Sequence, residues 1–270
     1  MFPRNLAMLL CPAAGGAATM GGATPATPVY FLFTTIPPHA ARLAQIANEM
    51  RRQHHRPTGI VLTLPARYHR FNASETAALH DAANEWQSRT SGVRIHNVPT
   101  DHGPLLKYFG SRVVDPASAL CVVGDDDVTY RPHWLQRFVN ASSALPAALR
   151  RAVVITGNYD PGFGPLSPGV KGVAGVAMSC STMSTLPLRI ERLCFLVDDV
   201  VVTKAARDRK LRLSSLLGSL HGNGIGSLYE QTAYSHDATS IFSHHKAHGF
   251  RTNRECVAAL TSSGAKSRRV

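Results

Sequence analysis

The sequence predicts an α/β fold in which a largely parallel sheet is flanked by helices on both faces. Short apolar segments rich in β-branched residues recur along the first half of the chain. Segments with helical spacing of apolar residues separate them, and Gly or Pro marks most boundaries. Strands that alternate with helices usually pair in parallel, because each helix returns the chain to the same edge of the sheet. The 270 residues suffice for one large domain or two small ones.

The first half of the chain contains four predicted strands with helices between them. The first strand ends before Pro37, and the second ends at Pro65, because proline lacks the N–H that a ladder needs. Ser74 and Glu75 open a helix in which Trp86 lies on the apolar face. The predicted strands are 29–34, 59–64, 93–97 and 119–124, and the predicted helices are 40–53, 74–89 and 104–112.

The second half of the chain is predicted to be less regular. A long Gly- and Pro-rich loop covers 158–170, and residues 172–178 form a strand or a tight turn with close backbone packing. An apolar run over 194–197 precedes two acids and a basic helix. The other predicted elements are a helix over 132–140, a strand over 152–157, a loop over 218–226 and a helix over 237–248.

Composition suggests a folded region between two tails. Residues 1–28 are rich in Ala, Gly and Pro, so a flexible tail is expected before a domain over 29–260 and a basic tail over 261–270. No run of about 18 apolar residues occurs, so no membrane-spanning helix is expected. Five widely spaced cysteines indicate a reducing, cytoplasmic setting, with Cys121 as a small buried apolar residue.

The chain is strongly basic, with a formal net charge of +12. Such a charge favours a polyanion, an anionic membrane surface or phosphorylated substrates as partners, including a peripheral membrane contact. Basic residues are scattered and no stripe interleaves them with aromatic rings, so nucleic acid is not an expected partner. Oligomeric state is not predicted by any pattern in the sequence.

Three consecutive carboxylates, Asp125, Asp126 and Asp127, follow the predicted strand 119–124. Adjacent like charges repel, so they need open water or a cation. Because ligands of α/β proteins bind at the carboxyl ends of parallel strands, this tip predicts a site for Mg²⁺ or Mn²⁺ and, through it, a diphosphate. A solvated acidic turn is the alternative interpretation.

Two further groups could contribute to such a site. Asp198 and Asp199 follow an apolar run and could supply a general base, or could complement the dipole at the start of a helix. Asp101 precedes a Gly-Pro turn and Lys107. Asp101 could accept from a ribose hydroxyl while Lys107 meets a phosphate, or Asp101 could simply cap the following helix.

Taken in order, these motifs resemble the stand-alone, metal-dependent GT-A glycosyltransferases of the family-2 type. The resemblance covers roughly 29–256, and its most specific elements are Asp-x-Gly-Pro-x-x-Lys and the triple Asp. The matching positions are Thr34–Pro37, Leu64-Pro65 with Tyr68 and Arg70, Asp101–Pro104 with Lys107, Asp125–Asp127 with Tyr130, Gly172–Gly175, Asp198–Val200, and Asn253 with Cys256.

The resemblance implies a GT-A (Rossmann-like) fold and an inverting transfer from a UDP- or GDP-linked sugar to a glycan, lipid or protein-linked hydroxyl. Asp127 and Asp125 would bind Mn²⁺ or Mg²⁺, and Asp199, or else Asp198, would be the catalytic base. A late histidine could complete the metal site. The implied nucleotide-sugar contacts are Thr34, Thr35, Asp101, Gly103, Lys107, Asp125, Asp126, Gly172 and Gly175, and the candidate histidines are His236, His244, His245 and His248.

Two other functions remain as alternatives. A Mg²⁺-dependent nucleotidyltransferase also uses an acidic strand tip, but it usually carries a Gly-rich phosphate loop after its first strand, and Thr34–Pro38 contains no glycine. A non-catalytic basic protein could instead bind polyanions through its net charge. Such binding would weaken steeply with salt and would not respond to EDTA.

Overall fold

The structure, a computed structural model, describes residues 27–115, 118–188, 194–217, 228–231 and 253–266. Among these residues the α/β expectation is confirmed, with a seven-stranded, mostly parallel central sheet flanked by helices. The strands are β1 (Val29–Thr34), β2 (Gly59–Pro65), β3 (Val93–Val98), β4 (Leu120–Val123), β5 (Val128–Tyr130), β6 (Val153–Thr156), β7 (Tyr159–Asp160), β8 (Gly169–Val170), β9 (Val176–Ser179), β10 (Arg212–Ser215) and β11 (Tyr229–Gln231).

The central sheet has the order β10-β6-β9-β4-β1-β2-β3. Strand β1 pairs in parallel with both β2 and β4, so that Phe31 lies opposite Ile60 on one side and Val122 on the other. Strand β9 is antiparallel to both of its neighbours, β4 and β6. The carboxyl ends of β1, β2, β3 and β4 therefore meet at one edge of the sheet.

Helices cover both faces of this sheet. They are α1 (Leu43–Arg51), α2 (Ala73–Arg89), α3 (Leu106–Phe109), α4 (Trp134–Ala144), α5 (Cys180–Ser184), α6 (Asp198–Asp208) and α7 (Asn253–Lys266). Helices α1, α2 and α4 pack on the face that carries Phe31 and Phe33, whereas α3, α5, α6 and α7 pack on the face that carries Leu32. Alternate residues of each buried strand thus enter two separate cores.

The predicted elements of the first half are confirmed within a few residues, and their boundaries have local causes. Helix α2 begins with a capping box, in which Asn72 accepts from the N–H of Glu75 while the Glu75 carboxylate accepts from the N–H of Asn72. Pro37–Arg42 forms 3-10 turns before α1, where the sequence predicted a helix from residue 40. The expected loop over 158–170 is wrong in part, because β7 and β8 pair within it.

The cysteine prediction is wrong. Cys121 forms a disulfide with Cys180, and Cys194 forms one with Cys256, across separations of 59 and 62 residues. Such distances in sequence carry no local spacing signal, so the wide spacing of the five cysteines misled the interpretation. Disulfides are typical of oxidising compartments, which removes the basis for expecting a reducing one. No helix in the described segments is both long and apolar enough to cross a membrane.

Candidate active site

The acidic loop after β4 lies beside the end of β1. Gly124 donates its N–H to the carbonyl of Leu32 at 3.1 Å, which continues the parallel pairing past the strand ends. A side chain at Gly124 would collide with Tyr130, because its Cβ would lie 2.5 Å from the Tyr130 hydroxyl. The same hydroxyl accepts from the N–H of Asp125 at 2.6 Å. Tyr130 therefore fixes the backbone from which the three acids project.

Asp126 is held by two side chains from the segment after β1. Its Oδ2 accepts from the Thr35 hydroxyl at 2.5 Å and lies 2.9 Å from Nδ1 of the buried His39. Thr34 instead donates its hydroxyl to the carbonyl of Thr63 at 2.8 Å. Thr35 and Asp126 were both predicted to contact a nucleotide, and the structure places them in contact with each other at the sheet edge.

Lys107 joins two acidic segments that are distant in sequence. Its ammonium group forms ion pairs with Asp125 Oδ1 and, at 2.8 Å, with Asp198 Oδ2. The lysine side chain is only 3% exposed, so its charge depends on these carboxylates. Burial opposes that charge, but Asp125 and Asp198 outweigh it and raise the pKa of Lys107 well above its ordinary value. Lys107 thus lies beside the predicted acids, and its ammonium group contacts carboxylates where a phosphate was expected.

Asp198 and Asp199 form the first turn of α6, which agrees with the interpretation that they lie at the start of a helix. Acids in a first helical turn complement the dipole, and here they also face the site. The Asp199 Oδ1 accepts from the N–H of Gly172 at 2.7 Å, and a Cβ at Gly172 would lie 2.5 Å from that oxygen. Burial, together with the neighbouring Asp198 charge, raises the pKa of Asp199 well above its ordinary value.

Asp127 is the third acid of the loop. Burial, followed by the charges of Asp125 and Asp126, raises its pKa from 3.8 to about 7. Burial also raises the pKa of Asp125, despite the opposing charge of Lys107. A divalent cation would relieve this repulsion, so the donor set suits Mg²⁺ or Mn²⁺. Within the described segments, however, no three His, Cys, Asp or Glu side chains form a complete ligand group.

Three other predicted residues have structural contacts. Asp101 accepts from the N–H groups of Gly103 and His69, each at 2.8 Å, as expected for a turn that caps a helix start. Gly103 has φ +57°, a conformation that favours glycine. Gly175 has φ +97°, and a Cβ there would lie 2.7 Å from the Trp134 ring, so it serves the core beneath the site.

Sequence reasoning missed several residues that line or support this site. Burial, then the charges of Asp125, Asp127 and Asp199, raises the pKa of Tyr229 to about 12. Tyr229 comes close to these acids because β11 pairs with β5, which places Tyr229 opposite Tyr130. Nothing in the local sequence signals this pairing or the contact between His39 and Asp126. The candidate metal-binding histidines, His236, His244, His245 and His248, lie outside the described residues.

Comparisons with known proteins give a fold likeness at low identity. No protein-family model and no curated protein matches the sequence. The crystal structure of S. aureus TarS 1–349 in complex with UDP matches with a TM-score of 0.46 at 10% identity, covering 77% of this chain and 61% of that chain. A second crystal structure of S. aureus TarS 1–349 gives a TM-score of 0.49 at 10% identity, covering 76% of this chain and 60% of that chain. The chain therefore spans about three fifths of those TarS fragments.

Two further matches are described as transferases. The apo structure of WbbM, a bifunctional glycosyltransferase, gives a TM-score of 0.34 at 12% identity, over 73% of this chain and 40% of that one. Mouse xyloside xylosyltransferase 1 gives 0.32 at 13% identity, over 70% and 78%. Scores below 0.5 do not support conclusions about activity, which must come from the site itself.

Proposed function

We propose that this protein is a metal-dependent glycosyltransferase that moves a sugar from a nucleoside-diphosphate sugar to a hydroxyl group of a glycan, lipid or protein-linked acceptor. One observation carries the proposal. Lys107 binds Asp125 and Asp198 at once, which brings the acidic loop after β4 and the first turn of α6 into one cluster. A cation-binding loop beside a second carboxylate pair is what transfer to a hydroxyl requires.

The acidic loop supports the donor half of the reaction. Asp125 and Asp127 would hold Mn²⁺ or Mg²⁺, which supplies charge neutralisation for the departing diphosphate. Thr34 and Thr35 end β1 next to this loop and would border the nucleotide. His39 and Thr35 hold Asp126 in place, which would pre-order the loop for the donor.

The first turn of α6 supports the acceptor half. Asp198 is paired with Lys107, whereas Asp199 accepts one hydrogen bond, from the Gly172 N–H, and has a strongly raised pKa. A carboxylate with a raised pKa is a better proton acceptor near neutral pH than an ordinary aspartate. We therefore propose that Asp199 takes the proton from the acceptor hydroxyl, with inversion at the sugar carbon. Asp198 then positions Lys107.

A binding experiment with a panel of nucleotides tests this proposal. Calorimetry with UDP, GDP and ADP, each with Mn²⁺ and then with EDTA, should show one diphosphate that binds only when the cation is present. Asp127→Asn should weaken that binding by at least roughly tenfold, since it removes a charged ligand. Asp81→Asn, an equal charge change on the exposed face of α2, should leave it unchanged.

Adding UTP, GTP and ATP to the panel separates the alternatives. A nucleotidyltransferase should prefer the triphosphates to the diphosphates, and a polyanion-binding protein should bind all of them without regard to EDTA and bind them more weakly as salt is raised. Binding that survives EDTA, or that Asp127→Asn retains in full, would contradict the metal role of the loop.

A further inference from the structure

A cavity lies at the amino-terminal edge of the sheet, at the opposite ends of the strands from the candidate active site. It lies where β2 and β3 begin and where α1 ends, and its volume is about 480 Å³. This size is in the range of cavities that bind small molecules. The acids of the candidate active site lie at the carboxyl ends of the strands, at the other edge of the same sheet. This cavity is therefore separate from the site described above.

The lining of the cavity is mixed. Its apolar members are Met50, Pro57 and Ile60, of which Met50 and Ile60 are only 1% and 7% exposed. Thr58, Thr90 and Ser91 are its hydroxyl-bearing members. A lining that combines apolar and hydroxyl-bearing residues suits a ligand that has a compact apolar part and a polar end.

Two arginines determine the charge of the cavity. Arg51, at the end of α1, and Arg56, before β2, are both exposed and both line it. In the described segments no acidic residue lines the cavity, and the neighbouring Glu49 faces Arg42 at 3.5 Å. Among the described residues, neither arginine forms an ion pair with a carboxylate.

The surrounding sequence strengthens this positive potential. Arg52 lies between the two arginines, so three of the six residues over 51–56 are arginines. Guanidinium groups without a protein carboxylate present a fork of N–H donors that matches phosphate oxygens. A cluster of this density also raises the local concentration of anions.

We propose that this cavity binds a ligand that carries a phosphate group on a small apolar body, with Arg51 and Arg56 on the phosphate and Pro57 and Ile60 beside the apolar part. The ligand is either a soluble phosphate ester or the headgroup region of an anionic phospholipid, since both present the same chemistry. The site is independent of the proposed glycosyl transfer, and its test needs no donor, acceptor or metal.

Phenyl phosphate is a suitable probe for the soluble source. In EDTA, titration into protein labelled with ¹⁵N-arginine should shift the Nε–H resonances of Arg51 and Arg56, whereas benzyl alcohol, the neutral control ligand, should not. Arg51→Gln with Arg56→Gln should weaken binding by at least roughly tenfold, because both charge-assisted contacts are lost. Arg150→Gln with Arg151→Gln removes the same charge from exposed positions before β6 and should leave binding unchanged.

Vesicles test the lipid source and a bulky variant tests the cavity. If the source is lipid, the protein should cosediment with phosphatidic acid vesicles but not with phosphatidylcholine vesicles, and the Arg51/Arg56 variant should lose this binding. Ser91→Trp keeps the net charge but fills the cavity, so it should abolish binding in whichever arm is positive. Binding in neither arm, or binding that resists either the arginine changes or Ser91→Trp, would overturn the proposal.

Discussion

At the scale of single residues, Lys107 explains how the acidic cluster persists in a folded protein. Three of the carboxylates near it have raised pKa values because they are buried beside like charges. A buried ammonium between two carboxylates compensates part of this repulsion, and each partner would be an uncompensated buried charge without the other. The lysine therefore couples the conformation of the β4 loop to that of α6.

The catalytic role of Asp199 can be separated from its structural one. Asp199→Asn keeps an oxygen that can accept from the Gly172 N–H, but the amide cannot take a proton. We expect donor affinity to remain unchanged and kcat to fall by about 100-fold or more, the usual contribution of a general base. Steady-state kinetics and donor calorimetry on the same preparation give the two quantities.

Asp208→Asn is the matched control for this change. Asp208 ends the same helix and pairs with Lys204 at 2.5 Å on the exposed surface, so its loss should alter neither kcat nor affinity. Transfer by Asp199→Asn at the rate of the unchanged protein would remove Asp199 from the mechanism.

At the scale of secondary-structure elements, each acidic cluster comes shortly after a disulfide-bonded cysteine in the sequence. Cys121 lies four positions before Asp125, and Cys194 lies four positions before Asp198. The first disulfide connects β4 to the start of α5, and the second connects the segment before α6 to α7. All four half-cystines are buried, with at most 1% exposure. A disulfide thus cross-links each of the two segments that carry the candidate catalytic acids to a second element.

Thiol counting tests whether the disulfides form, and unfolding measures how much they stabilise the fold. Denatured but unreduced protein should have one reactive thiol out of five cysteines, because four cysteines are paired. Cys194→Ser with Cys256→Ser should lower the free energy of unfolding by about 4 kcal/mol, the chain-entropy value for a loop of this length. Cys11→Ser is the control and should have no effect. Five reactive thiols before reduction would show that the pairing does not form.

The regular elements near the site could be predicted from sequence because their signals are local. Buried strands such as Val29–Thr34 appear as continuous apolar runs between proline and glycine. The acids of the β4 loop could be predicted for the same reason, since a charged triplet directly follows an apolar run. For Asp198 and Asp199 the sequence left two interpretations open, because an apolar run before acids fits a strand end and a helix start equally well, and the structure has the helix start.

The remaining parts of the site depend on contacts between distant residues. His39 reaches Asp126 across 87 positions, and the disulfides close loops of about 60 residues. Tyr229 faces the acids only because β11 is antiparallel to β5. No periodicity or spacing in a single sequence reports such pairings, since they are decided by the packing of the whole chain.

At the scale of the whole molecule, charge is distributed unevenly along the sheet. The chain carries a net charge of +12, yet five of its 17 acids lie in the two clusters at the carboxyl-terminal edge. The described residues that line the cavity at the amino-terminal edge include two arginines and no acid. A cation bound at the acidic edge and an anion bound at the basic edge would both lower the electrostatic energy of the fold.

The acidic edge should make stability depend on pH. The pKa of Asp127 is raised from 3.8 to about 7 in the folded protein, so the folded state holds its proton more tightly than the unfolded state does. Its stabilising contribution is present at low pH and is lost as pH rises toward 7 and above. In EDTA, the free energy of unfolding of Asp127→Asn should therefore rise relative to that of the unchanged protein by roughly 1 to 2 kcal/mol when the pH is raised from 5.5 to 8.5.

Urea unfolding at the two pH values measures this difference, and Asp81→Asn, on the exposed face of α2, should show none. Added Mn²⁺ should make the unchanged protein more stable than Asp127→Asn at pH 8.5, because a cation that binds Asp127 stabilises only the protein that retains the carboxylate. A gain that does not grow with pH would mean that Asp127 is not under the repulsion of Asp125 and Asp126. A gain that grows with pH but ignores Mn²⁺ would leave the repulsion in place and exclude the metal as the group that relieves it.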